Sequence, residues 1–162
     1  LSKQSGRIYQ DFTEDIYNAL TAAFEKLKKY KKIMLVYPNK SIYPYPKGIV
    51  TGFKRFCIQY DIDYEILDEI YDSMELQLND LYVIIEESDL VNLVKQVRDR
   101  HYKLGEDIGI ISYNDTPLKE LLGITVISTN FKKMGEEAAN MILNNNPIDK
   151  KNEFNFIDRF SL

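Results

Sequence analysis

The sequence predicts an α/β fold with a mostly parallel sheet flanked by helices. Three observations carry this prediction. Short apolar runs such as Ile33-Met34-Leu35-Val36-Tyr37 recur along the chain, as strands buried on both faces require. Amphipathic stretches of helical period separate them. Strands and helices therefore alternate, which is the arrangement of βαβ units.

Asp11 to Tyr30 reads as the first helix, with Ile16, Leu20, Ala23, Phe24 and Leu27 on one stripe. Asp11 and Glu14 form a capping pair. The apolar run from Ile33 follows, then a Tyr- and Pro-rich loop from Pro38 to Pro46. Ile49, Phe53, Phe56, Cys57 and Tyr60 mark a second helix, and Tyr64 to Leu67 a strand. Leu81 to Ile85 is a stronger strand. Ser88 reads as the N-cap of a helix carrying Leu90, Val94, Val97, His101 and Leu104, which Gly105 stops. Ile108 to Ile111 is a strand, and Thr116-Pro117 opens a short helix closed by Gly123. Ile124 to Ser128 is a strand, and Phe131, Met134, Ala138, Met141 and Ile142 line a last helix. Phe154 to Ile157 completes the set.

At 162 residues the chain has the size of one domain, and 44% hydrophobic with 28% charged residues is a globular composition. A formal net charge of −4 argues against a free-standing nucleic-acid binder. No apolar run is long enough to span a membrane, and no signal pattern opens the chain. It starts without Met, as expected of a piece of something longer. A single Cys57 excludes an internal disulfide, and a single His101 excludes paired-His zinc motifs. No glycine-rich phosphate loop or G-x-S-x-G elbow occurs, so no cofactor, metal or catalytic residue is predicted and the chain does not read as an enzyme.

In open α/β sheets ligands bind beyond the carboxyl ends of the strands. Those ends carry Tyr37, Asn39, Tyr43, Tyr45 and Lys47, then Glu86, Glu87, Ser88 and Asp89. The next two carry Ser112 to Asp115 and Ser128 to Phe131. Aromatic faces beside hydrogen-bonding groups suit a small polar molecule such as a sugar. Taken singly, Asp11, Ser88 and Asn130 are explained as helix caps. Their clustering at successive strand ends points to a ligand site.

The string Asp107-Ile108-Gly109-Ile110-Ile111-Ser112-Tyr113-Asn114-Asp115 resembles a strand and turn of LacI/GalR-type effector-binding domains. The segment Ile124-Thr125-Val126-Ile127, the pairs Met134-Gly135 and Ala138-Ala139, and the ending Arg159-Phe160-Ser161 resemble that family in order and spacing. So do Gly52-Phe53 and Ser88-Asp89-Leu90. The stretch from Ser112 to Leu122 resembles the branch fused to a GntR-type winged helix. The resemblance implies a type I periplasmic-binding-protein-like fold of two lobes with the effector between them. It implies that residues 1–162 are a partial effector-binding domain, with 33–128 plus 149–162 forming the core of the C-terminal lobe. Helices 11–31 and 131–145 are then expected to pack on an N-terminal lobe outside this chain, and without it to cover their apolar stripes against each other, against a symmetric partner chain or against further residues, or else to be mobile.

The implied effector site is Asp11, Tyr43, Tyr45, Lys47, Glu87, Ser88, Asn114 and Phe131. Asp11 and Phe131 match the family's acidic and aromatic cleft positions. Ile49 stands at the family's effector-binding Arg, with Lys47 as a nearby donor. Ser88 and Asn114 stand at its Asn and first Asp. The implied protein is a cytoplasmic, homodimeric transcription regulator that binds a sugar-like effector and reaches DNA only through a domain absent from this chain. A solute-binding protein for sugar uptake is the alternative, and an upstream signal peptide or winged helix separates the two.

Overall fold

The computed structural model describes residues 5–162; residues 1–4 of the expected domain lie outside the described residues. Strand β1 (Arg7–Tyr9) leads into α1 (Phe12–Leu27), β2 (Lys32–Val36), α2 (Gly48–Gln59) and β3 (Asp63–Leu67). Then come β4 (Asp80–Ile84), α3 (Glu87–Asp99), β5 (Ile108–Tyr113), α4 (Pro117–Leu121) and β6 (Thr125–Thr129). The chain ends in α5 (Phe131–Leu143), β7 (Asp149–Lys151) and β8 (Phe154–Ile157). Six strands form one sheet in the order β3-β2-β4-β5-β6-β8, parallel except for β8 against β6.

Alternation along the strands divides the interior in two. Ile33 and Leu35 of β2 and Leu81 and Val83 of β4 face a core built with α1 and α2. Met34, Val36, Tyr82 and Ile84 face the opposite core, closed by α3 and by Ile70, Met74 and Leu76 of the β3–β4 connection. That connection has no helix of its own, so these three side chains supply the cover a helix gives elsewhere.

The structure corrects the expectation for helix 11–31. Ile16, Leu20 and Leu27 are fully buried, because α1 lies on the six-stranded sheet beside α2 within this lobe. The crossing is close because Gly52 of α2 has no Cβ: one would stand 2.1 Å from the Thr13 carbonyl oxygen. The helix of 131–145 is different. No residue of α5 is buried, and Phe131, Ile142 and Leu143 are exposed. The expected core segment 149–162 is also divided. Its first three residues leave the main sheet and pair in parallel with β1, Arg7 opposite Asp149.

Helix α3 departs from expectation at both ends. Its N-cap is Glu86, without a side-chain cap bond, so Ser88 lies within the first turn. It ends at Asp99, not at Gly105: His101 takes a left-handed conformation (φ 59°), and the Tyr102 amide returns to the Val97 carbonyl at 3.0 Å. His101 and Leu104 therefore lie beyond the helix. Elsewhere the local signals operate as read. Asp11 accepts from the Glu14 amide and Asn130 from that of Lys133, and Thr116 caps α4 with Pro117 in its first turn. Glu14 itself turns to Arg55, so only half of a capping box forms.

Candidate functional site

The sheet reverses its winding between β2 and β4. From β2 the chain moves outward through α2 to β3, and from β4 it moves the other way through α3 to β5. The helices α2 and α3 lie on opposite faces, so the carboxyl ends of β2 and β4 part and leave a crevice. Tyr37, Tyr45 and Glu86 build it. The Tyr37 hydroxyl donates to the Tyr45 carbonyl at 2.6 Å, which ties the loop back to its strand. The Tyr45 hydroxyl donates to Glu86 Oε1 at 3.1 Å, across the crevice from the end of β4. Burial and the adjoining Glu86 carboxylate raise the pKa of this phenol.

Two concavities open here. One, of about 250 Å³, is lined by Asp68, Glu69, Glu86, Ser88, Asp89 and the loop residues Pro38, Lys40 and Ser41. The other, of about 460 Å³, lies between Tyr37, Tyr45, Pro44, Lys47 and the first turn of α2. Asp89 accepts from the Ile70 amide at 2.8 Å; burial raises its pKa, with Glu86 and Glu69 adding to the effect.

A second group stands at the ends of β5 and β6. Asn114 has a left-handed backbone (φ 58°), and its Oδ1 accepts from the Thr129 amide at 3.3 Å. Gln10, at the entrance to α1, donates to the Thr129 hydroxyl. Lys119, buried on α4, donates to the carbonyls of Tyr113 at 2.6 Å and Asn114 at 2.9 Å. Arg159 grips Asp115 with two bonds of 2.8 Å and holds the Asp115 carboxyl below its ordinary pKa. Near Asp11, the buried Asp15 carboxylate pairs with Lys151 of β7 at 2.8 Å.

The sequence-predicted residues separate as follows. Tyr45, Lys47 and Ser88 line the crevice, and Asn114 stands at the end of the neighbouring strand. Tyr43 does not line it, being 84% exposed on the loop. Glu87 lines a shallower depression between α3 and α4, with Val91, Lys95 and Leu118. Asp11 and Phe131 lie where α1 and α5 begin; Asp11 caps its helix and Phe131 is exposed. Ile49 is buried in the core, away from any polar partner. Sequence reasoning passed over Gln10, Glu86, Lys119 and Thr129 as site residues. Glu86 and Thr129 had a signal, since both follow strand ends. Gln10 had none, because tertiary packing alone brings it there, and Lys119 had none, because it acts through the local turn from β5 into α4. Among the described residues, no group of three His, Cys, Asp or Glu side chains is placed to hold a metal ion, and no helix is long and apolar enough to cross a membrane.

The family model for the periplasmic binding protein-like domain matches residues 24–154. The chain belongs to the periplasmic binding protein-like domain family. Solved structures with the same fold include a ribose operon repressor protein from Lactobacillus acidophilus, at 17% identity, TM-score 0.72 and 99% coverage of this chain. A transcription regulator-like protein from Staphylococcus haemolyticus matches at 17% identity, TM-score 0.74 and 98% coverage. A LacI family transcriptional regulator from Enterococcus faecalis, with bound ribose, matches at 17% identity, TM-score 0.70 and 99% coverage. This periplasmic binding protein-like chain spans 66%, 65% and 64% of those three structures, less than two thirds of each. No curated protein matches it.

Proposed function

We propose that this chain is the effector-sensing part of a bacterial transcription regulator that binds a sugar. The observation that carries the proposal is the crevice at the reversal of the sheet, with the Tyr45–Glu86 hydrogen bond across it. Its lining offers aromatic walls to the C–H face of a sugar and carboxylate and hydroxyl groups to its hydroxyls. In this reading Tyr45, Lys47, Glu86, Ser88 and Asn114 contact the effector from this lobe, and Asp11 and Phe131 from the junction with the other lobe. The unburied α5 and the small β1–β7 sheet belong to the first lobe, which chain beyond these residues completes. The share of the related structures that this chain spans supports that division.

Effector bound between the lobes favours the closed arrangement by its difference in affinity for closed and open states. Closure then changes the geometry of a homodimer whose DNA-binding domain lies outside this chain. The site senses and does not catalyse, and the protein works in the cytoplasm. Related structures hold ribose, D-xylulofuranose and cellobiose, which define the probes. Calorimetry of the full-length protein with ribose, xylulose, cellobiose and maltose tests the reading. Saturable binding of one sugar, abolished by Tyr45→Ala and accompanied by altered affinity for the promoter of its own operon, supports it. Binding of none, or binding unaffected by Tyr45→Ala, refutes it.

A further inference from the structure

Lys119 is 3% exposed, and its ammonium is spent on two main-chain carbonyls, those of Tyr113 and Asn114, at 2.6 and 2.9 Å. The strand pairing explains why a cation sits there. The β4–β5 ladder ends at Ile84 opposite Ser112, because β4 then turns away into α3. On the other side β5 still has β6, where the Asn114 amide donates to the Ile127 carbonyl at 2.8 Å. The Tyr113 carbonyl points to the vacated side, with no strand beside it. Lys119 reaches back from α4 and supplies the missing donor.

The consequence falls on Asn114. Its backbone is held left-handed, its amide bonds to β6, and its Oδ1 is occupied by the Thr129 amide. What remains open on the side chain is Nδ2, a donor. We propose that Lys119 is the positioning residue of the effector cleft: by pinning the carbonyls of Tyr113 and Asn114, it presents the Asn114 side-chain amide as a hydrogen-bond donor to an effector hydroxyl. This rests on the reading of the cleft as an effector site. An apolar side chain of similar length would fill the space but leave those carbonyls without this donor, so the ammonium is what fixes the turn that carries Asn114. Burial lowers the pKa of Lys119, against the opposing pull of the Glu87 and Asp115 carboxylates.

The test is Lys119→Met in the full-length protein, which keeps the bulk and removes the donor. Amide hydrogen exchange across residues 112–116 is expected to quicken by about tenfold, and the melting temperature to fall by a few degrees as two carbonyls lose their donor. Affinity for whichever of ribose, xylulose, cellobiose or maltose binds the wild type is expected to fall about tenfold. Asn114→Ala should lose as much, and the double variant no more than Asn114→Ala alone, because the lysine acts through the asparagine. Unchanged exchange, unchanged sugar affinity, or additive losses in the double variant overturns the proposal. If none of the four sugars binds the wild type, the effector reading fails, and the exchange measurement still decides whether Lys119 holds the turn.

Discussion

Gly52→Ala discriminates sharply between helix propensity and helix packing. Gly52 lies inside α2, where glycine is less favourable than alanine by about 0.8–1.0 kcal/mol. Propensity alone therefore makes the substitution stabilising. The structure reverses the sign. The added Cβ would meet the Thr13 carbonyl oxygen at 2.1 Å and Ile16 Cγ2 at 2.6 Å, where ordinary contact begins at 3.4 Å. A backbone oxygen inside α1 cannot swing aside, so the two helices must part by roughly 1 Å, an overpacking that costs about 1–3 kcal/mol and occasionally more. The parting also loosens Ile16, Leu20, Phe53 and Phe56, all fully buried at this interface, each worth about 1.5–3 kcal/mol when wholly covered. Losing part of that cover outweighs the propensity gain. A net destabilisation of about 2–4 kcal/mol is expected. Urea unfolding followed by circular dichroism measures it as a lowered midpoint with the slope retained. A midpoint equal to or above the wild type would refute the packing of α1 on this lobe.

The contrast between the two outer helices gives a second expectation: Leu20→Ala on α1 costs about 2–5 kcal/mol, whereas Ile142→Ala on α5, at 77% exposure, costs under about 0.5 in this chain alone, by the same unfolding assay. Arg159→Lys loses the two-pronged grip on Asp115 and the bond to the Ile124 carbonyl, and should cost about 1–2 kcal/mol while the Asp115 carboxyl returns toward its ordinary pKa by NMR titration; an unmoved carboxyl would contradict the pairing. Burial raises the pKa values of Asp15, Asp80 and Asp89, so each binds its proton more readily folded than unfolded, and mild acidification favours the fold through them. Asp115 is lowered by Arg159, and its contribution is lost as pH falls through its folded value below 3.8. The melting temperature should accordingly hold or rise from pH 7 to about 5 and fall below about 4, and a steady decline from pH 7 would count against it. Four carboxylates and one ammonium line the smaller concavity, so the phosphate ester of any sugar that binds should bind at least about tenfold more weakly than the sugar itself in calorimetry.

The sequence by itself determined the strands of the main sheet and the helices between them, but not the three-residue strands β1 and β7. Strand runs such as Ile33–Val36 and Ile108–Ile111 have two faces to bury, and their period cannot be mistaken for a surface helix. Caps at Asp11, Thr116 and Asn130 are local hydrogen bonds between neighbours, so they too were legible. The end of α3 was not, because a left-handed His101 has no compositional signal where Gly105 offers a false one. The cover of α1 was decided only in three dimensions. Its stripe and that of α5 look alike in sequence, and what separates them is the close approach at Gly52 and a sheet already in place beneath α1. The same holds for the site. Tyr45 and Ser88 follow strand ends and line the crevice, while Glu87, one position from Ser88, lines only the depression between α3 and α4, which Ser88 also borders as α3 begins. Gln10 reaches Thr129 across a gap in the chain that no spacing rule spans, since the two became neighbours only when the sheet was assembled, whereas Lys119 lies close in sequence to its carbonyls and depends on how the chain turns from β5 into α4.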